Sequence, residues 1–373
     1  MGKLLKRFFK GTDLIYLLLC MICCAYSVVV LYSWCRWQGD GDYHVAIVQA
    51  AAAGLGLVLA CILSALDYHT IAQLWPIHAA LSWGLVALTF KIGYSPLDTT
   101  NKAWIKLPMG MSLQPSELAK ISFIITFALH LSAVREDLNR PYRLLPLLAH
   151  LLAPAMIIHL QGDDGTMLVF LVVGLCMLFS AGLSFKYILP AVIAAAVAAP
   201  LLWPHLEPYQ QERITALLHQ DDPQYAAVLY QQLCGKVSIG AGQITGRGLF
   251  GEHHYVPLAY NDFIFSYLSE CLGFIGSLAV LVLLGAVCVR TIRTGLRAGD
   301  ELGTFICVGV FGVFLAQILI NLGMNLLLLP VIGVTLPFFS SGGTSVTMLF
   351  LCVGMVMSVY RFRPTDLFAE KYR

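Results

Sequence analysis

The sequence predicts an all-α polytopic membrane protein of about ten transmembrane helices, with one large extracytoplasmic loop between helices seven and eight. Hydrophobic residues make up 58% of the 373 and charged residues only 12%, about half the charge of a typical soluble domain. The apolar residues gather in runs near the ~20 residues that a helix needs to span a bilayer. With the N-terminus inside, the inner segments and adjoining span edges hold fifteen Lys and Arg against seven outside, a bias that puts both termini in the cytoplasm.

The ten windows lie near 13–34, 45–66, 71–92, 116–133, 143–160, 166–182, 185–203, 264–289, 303–329 and 334–359. The first follows a basic stretch, "MGKLLKRFFK", as a signal peptide would. Its apolar run outlasts a signal core, so it reads as an uncleaved first span. Residues 93–115, between spans three and four, carry Trp104, prolines and glycine.

Span four opens with "GMSLQPSELAKISF", where Pro115 suits the first helical position and Glu117 the first turn. Glu117 and Lys120 are three apart, share a helix face and are able to pair. Lys120 lies about a turn inside the apolar region, where a charge is expensive and by default functional. The plainer reading is a structural pair that locks the helix, or a lysine reaching outward. Between spans five and six, "QGDDGTMLVF" puts Asp163 and Asp164 at an outer turn, where capping chemistry alone accounts for either.

Residues 204–263 form the largest non-membrane segment, and loops this long are usually functional or disordered. "LEPYQQERITALLHQDDPQYAAVLYQQL" is helix-compatible and "SIGAGQITGRGLFG" is glycine-rich, so partly ordered structure on the membrane surface is expected. Arg247, among glycines that let a backbone approach an anion, is a candidate phosphate contact or a solvated loop charge. His253 and His254 are a weak metal signal. Asp262, in "VPLAYNDFIFSYLSE", stands against the start of span eight. It reads as the N-cap of that span, or as a general base or metal ligand at headgroup height.

Near the C-terminus, "NLGMNLLLLPVIGVTLPFFSSGGTSVTMLF" breaks an apolar region with Pro330, Pro337 and the run Ser340 to Ser345. Such a run is costly in lipid unless it lines a cavity or packs helices closely. The eleven cysteines are scattered and read as small apolar residues. Cys35 and Cys234 alone lie clearly outside, leaving one bridge open. The net charge of +2 says nothing about partners, and no nucleic-acid motif is present.

Taken together, "QPSELAK" at 114–120, "QGDDGT" at 161–166, "SIGAGQITGRGLFG" followed by "NDFIF", and "NLGMNLLLLPVIGVTLPFFSSGGTS" resemble the SEDS family (shape, elongation, division and sporulation) of RodA/FtsW type. The resemblance covers nearly the whole chain, with four motif regions in order. The chain departs from the family pattern at Gly162 and Asp164, where proline and leucine are usual. It departs again at Ala103, at Leu258 and at Cys271, which follows Glu270 where paired glutamates are usual.

The resemblance implies a glycosyltransferase that polymerises peptidoglycan from lipid II at the outer face of the bacterial cytoplasmic membrane. It implies Asp262 as the catalytic aspartate, acting as base or as ligand to a divalent cation (Mg or Mn). Glu117 and Lys120 would line an outward cavity. Lys120 and Arg247 would contact pyrophosphate, and Asp163 and Ser341 are further candidate substrate contacts. A class B penicillin-binding protein, the transpeptidase, and membrane lipid are the implied partners; nucleic acid is not. Two other functions compete: a lipid II flippase, which would show inverted repeats with broken helices, and a non-catalytic scaffold, which would tolerate substitution of Asp262 and Lys120.

Overall fold

The computed structural model describes residues 11–38, 41–95, 101–106 and 112–363. The terminal basic residues Lys3, Lys6, Arg7, Lys10, Lys371 and Arg373, and Pro108 and Gly110 of the segment before span four, lie outside the described residues. The helices run in chain order as α1 (Leu14–Gln38), α2 (His44–Ser64), α3 (Tyr68–Gln73), α4 (Trp75–Ile92), α5 (Pro115–Val134), α6 (Pro141–Leu160) and α7 (Asp164–Ser180). There follow α8 (Phe185–Leu202), α9 (Pro208–Leu218), α10 (Ala226–Ala241), α11 (Ile264–Gly295), α12 (Glu301–Asn325) and α13 (Gly343–Phe362).

Every apolar window holds a helix, and proline sets several starts. It occupies the first turn of α4, α5, α6 and α9, where its fixed φ fits and its missing N–H costs nothing. The window at 71–92 is broken at Leu74 for that reason: Pro76 cannot donate back into α3, so α4 starts afresh. Among the described residues, seven helices are long and apolar enough to cross a membrane: α1, α2, α5, α6, α11, α12 and α13. α7 and the first part of α8 are shorter apolar helices.

Three helices form the centre. The apolar windows of α5, α12 and α13 are 67%, 72% and 72% buried, against 33–39% for α1, α2, α6 and α11. Small residues let the backbones close up, as membrane helices require. A β-carbon on Gly354 of α13 would sit 2.9 Å from Ala60 Cα on α2, and one on Gly312 of α12 would sit 3.0 Å from Val173 Cα on α7. Two short strands, β1 (Ile105–Lys106) and β2 (Ser112–Leu113), pair antiparallel and precede α5.

Two expectations need correction. The windows 303–329 and 334–359 overrun their helices, because α12 ends at Asn325 and α13 begins at Gly343. The chain between is apolar but not helical. Pro330 and Pro337 remove donors, and Leu327, Gly333 and Phe338 take positive φ. Side chains satisfy the freed backbone groups, as they must inside a bilayer. Buried Gln49 on α2 donates to the carbonyls of Phe338 and Ser340, each at 3.2 Å, and Ser27 on α1 donates to that of Phe339 at 2.6 Å.

The second correction concerns the glycine-rich stretch, whose first residues, Ser238 to Ala241, continue α10 rather than form loop. Cys35 and Cys234, between which the sequence leaves a bridge open, are both free thiols.

Candidate functional site

Asp262 stands just before α11, and it does not cap that helix. The N-cap is Phe263, with no side-chain cap bond, and Asp262 Oδ1 is buried without a hydrogen-bond partner. Only 6% of the residue is exposed. Burial first, and the charge of Asp163 second, push its carboxyl up to about 6.

The backbone at this point is fixed from two sides. Asn321 and Asn325, four apart on α12 and so on one face, both donate to the Asp262 carbonyl, at 2.9 and 3.0 Å. Asn325 Oδ1 also accepts from the Ser266 N–H at 3.2 Å and hydroxyl at 2.7 Å, tying the first turn of α11 to the same residue. From the other side, Ser340 Oγ donates to the Asn261 carbonyl at 2.7 Å, and the Ser341 N–H donates to the Tyr260 carbonyl at 2.8 Å. Ser341 thus holds the chain through its backbone.

The remaining wall comes from α7 and α5. A β-carbon on Gly165 would collide with the Ile332 carbonyl, and one on Gly333 would lie 3.8 Å from Asp262 Oδ2. The first turn of α7, the 326–342 segment and Asp262 are thus consecutive neighbours. Asp163 does cap its helix: Oδ1 accepts from the Thr166 N–H at 3.0 Å, and Oδ2 accepts from Gln114 Nε2 at 2.7 Å. Burial raises its carboxyl, the Thr166 hydrogen bonds and the Lys120 charge oppose that, and Glu117 adds to it. On α5, Lys120 Nζ donates to Glu117 Oε1 at 2.8 Å, with both side chains buried. Glu117 and Lys120 pair as their spacing predicts.

Asp262, Asp163, Glu117 and Lys120 are therefore one electrostatic group, with Ser341 fixing the backbone beside it. Arg247 is elsewhere. Its Nη1 lies 3.2 Å from Glu270 Oε1 and 3.4 Å from His254 Nδ1, and no contact among the described residues joins it to the Asp262 group. It belongs to a loop docked on a break in α11 at Gly273, where φ is +66°. The Arg247 and Gly248 N–H groups donate to the carbonyls of Glu270 and Cys271, each at 2.9 Å. Below the break, the Phe274 and Ile275 N–H groups donate to the carbonyls of Gln243 and Ile244, at 2.8 and 3.1 Å. The loop thereby replaces the hydrogen bonds that the helix loses. Among the described residues His253 and His254 join no metal-binding cluster; His254 is bound to Glu270.

A family model for cell cycle proteins, that of FtsW, RodA and SpoVE, matches residues 13–365. The chain belongs to this family. It is 29% identical over 366 residues to stage V sporulation protein E of Bacillus subtilis (strain 168), covering 94% of this chain and 97% of that one. It is 31% identical over 368 residues to a probable peptidoglycan glycosyltransferase FtsW of Geobacter sp. (strain M18), with the same coverage. Among solved structures, one described as structural coordination of polymerization and crosslinking by a peptidoglycan synthase complex matches with a TM-score of 0.82 at 27% identity, covering 95% of this chain and 99% of that chain. The rod shape determining protein RodA of Thermus thermophilus matches with a TM-score of 0.70 at 27% identity, covering 95% and 98%.

Two departures from the usual FtsW/RodA pattern have local reasons. Gly162 sits at φ +80°, a conformation closed to proline, whose ring holds φ near −65°. Asp164 accepts from Gln210 on α9 at 2.7 Å and meets His159 Nδ1 at 2.6 Å, contacts that a leucine cannot make. Of the others, Ala103 is buried and Cys271 Sγ lies 3.6 Å from His253 Nε2.

Proposed function

We propose that this chain is a peptidoglycan glycosyltransferase that polymerises lipid II into glycan strands at the outer face of the cytoplasmic membrane. The observation that carries the reading is Asp262: a buried carboxyl raised to about 6, with one oxygen unpartnered, in a chain whose relatives are named peptidoglycan glycosyltransferases. A general base works best with a pKa near the operating pH, and a carboxylate with an unused lone pair is free to take a proton.

In the transfer, the acceptor sugar hydroxyl attacks the anomeric carbon of the donor. The bond from that carbon to the pyrophosphate oxygen breaks, its electron pair leaves with the polyprenyl pyrophosphate, and the hydroxyl proton passes to Asp262. Lys120, held by Glu117, supplies the fixed positive charge that the leaving group requires. Asp163 keeps the base raised, and the two asparagines of α12 hold its backbone still.

Among the described residues no group of three or more His, Cys, Asp or Glu is arranged to hold a metal ion. Magnesium commonly takes one or two carboxylates and completes its shell with substrate phosphates and water, so Asp262, whose Oδ1 is unpartnered, would in an alternative role hold a Mg or Mn ion arriving with the pyrophosphate. Such an ion would neutralise the leaving group.

The ten windows then cross the bilayer with both termini in the cytoplasm, and α9 and α10 lie on its outer surface. The partner is a class B penicillin-binding protein, in keeping with the peptidoglycan synthase complex among the matching structures.

The test incubates purified wild type and Asp262→Asn with lipid II and a divalent cation, with and without the transpeptidase. Polymer from the wild type and a fall of about 10²–10⁴-fold in the variant, with an unchanged elution profile, is the expected result. Equal polymer from both would remove Asp262 from the chemistry.

A further inference from the structure

The transfer chemistry leaves one fully buried carboxylate without a task. Glu270 has no exposed surface and lies on α11, above the break at Gly273. Its oxygens are saturated by donors from three stretches of chain. These are Ser238 Oγ on α10 at 2.7 Å, Arg247 Nη1 at 3.2 Å, and His254 through its backbone N–H at 3.1 Å and its Nδ1 at 2.7 Å.

His254 and Glu270 are sixteen residues apart in the chain, and Asp262 is midway between them. The chain therefore runs out from His254 to Asp262 and returns along the first turns of α11 to Glu270. The carboxylate closes the base of this excursion, and Asp262 is at its tip. The legs are packed as well as tied: Val256, Ala259, Phe263 and Tyr267 are buried, and Gln231 of α10 donates to the Pro257 carbonyl at 3.0 Å. The Asn321 and Asn325 bonds fix the tip but not the base.

We propose that Glu270 is a positioning residue for Asp262. It joins His254 and Arg247 to α11 and so sets where the tip of the excursion presents its carboxylate. A displaced reacting group loses rate steeply, a 1 Å misplacement costing roughly 10²-fold. Removing a charged acceptor that holds donors from three residues at the base is therefore felt at the tip. The activity part of this proposal rests on the glycosyltransferase reading; the geometric part does not.

Two measurements test it on the full-length protein in detergent, using Glu270→Gln and the milder His254→Ala. Amide hydrogen exchange is expected to rise at Arg247 and Gly248, and to extend through 255–264 to the tip, while α12 and α13 keep their protection. Lipid II polymerisation is expected to show kcat lowered about tenfold or more in Glu270→Gln and less in His254→Ala, with KM held within about twofold.

Faster exchange confined to 243–254 with unchanged kcat overturns the proposal, since the base would then be local scaffolding. A raised KM with unchanged kcat also overturns it, since the cluster would then be binding substrate. If Glu270→Gln does not fold, His254→Ala decides alone by the same criteria. A wild type that makes no polymer overturns the glycosyltransferase reading, and exchange spreading to the tip still supports the positioning role in that case.

Discussion

Asp262 and Glu270 are two buried carboxylates on one stretch of chain, and their surroundings are opposite. Glu270 is surrounded by donors from Ser238, Arg247 and His254, whereas Asp262 has an oxygen that nothing among the described residues satisfies. A buried carboxylate that is fully hydrogen-bonded contributes order; one left short costs stability and persists where the shortfall has a use. The contrast separates positioning from chemistry better than burial alone.

The largest effect tests the satisfied side through the other buried pair. Lys120→Ala strands Glu117 and should cost about 3–5 kcal/mol, read as thermal unfolding in detergent. Replacing the pair together, Glu117→Gln with Lys120→Met, should cost much less. Equal losses would mean that the pair is not electrostatically coupled.

A smaller effect, opposite in sign at the two carboxylates, sharpens the comparison. The folded pKa of Asp262 is raised, to about 6, so the protonated form is favoured by folding. The ionised form costs stability increasingly as pH climbs from about 4 to about 6, to a total of roughly 3 kcal/mol. Asp262→Asn should therefore raise the melting temperature at pH 7.5 and leave it unchanged near pH 4. Glu270→Gln should lower stability at pH 7.5 by about 1.5–3 kcal/mol, the range for hydrogen bonds to a charged group. A destabilised Asp262→Asn would show that its carboxylate has partners after all.

The smallest effect concerns the neighbour. Because the Asp163 charge helps to raise Asp262, Asp163→Asn, which keeps a capping oxygen for Thr166, should move the acidic limb of kcat/KM to lower pH. The shift should be less than about one unit. A limb that moves upward would break the link between the two aspartates.

Much of this architecture is legible in the sequence. The ten apolar windows all contain helices, and the Glu117–Lys120 spacing foretells the pair. Where the windows overrun, at 326–342, hydropathy reports that Leu326, Val331 and Leu336 are apolar and cannot report that they are not helical; Pro330 and Pro337 are the available signal. Gln49, Asn321 and Asn325 escape notice because a lone amide barely lowers the hydropathy of a window. Gln49 also finds its partners 289 and 291 residues away. Arg247 looks like an anion site because glycines flank it, and only the fold reveals that the glycines serve the break in α11. The cap reading of Asp262 fails for a related reason: residue type and position allow a cap, but only the geometry makes one.

The turn at Gly162 bears on how this chain diverged from its relatives. A left-handed residue there, with Asp164 bound to His159 on α6 and Gln210 on α9, makes the turn and its two neighbours a single structural unit. Restoring the family's proline alone would meet a backbone that it cannot adopt, and restoring leucine alone would remove the contacts to His159 and Gln210. Chimeras between this chain and its relatives should therefore be cut outside residues 159–210.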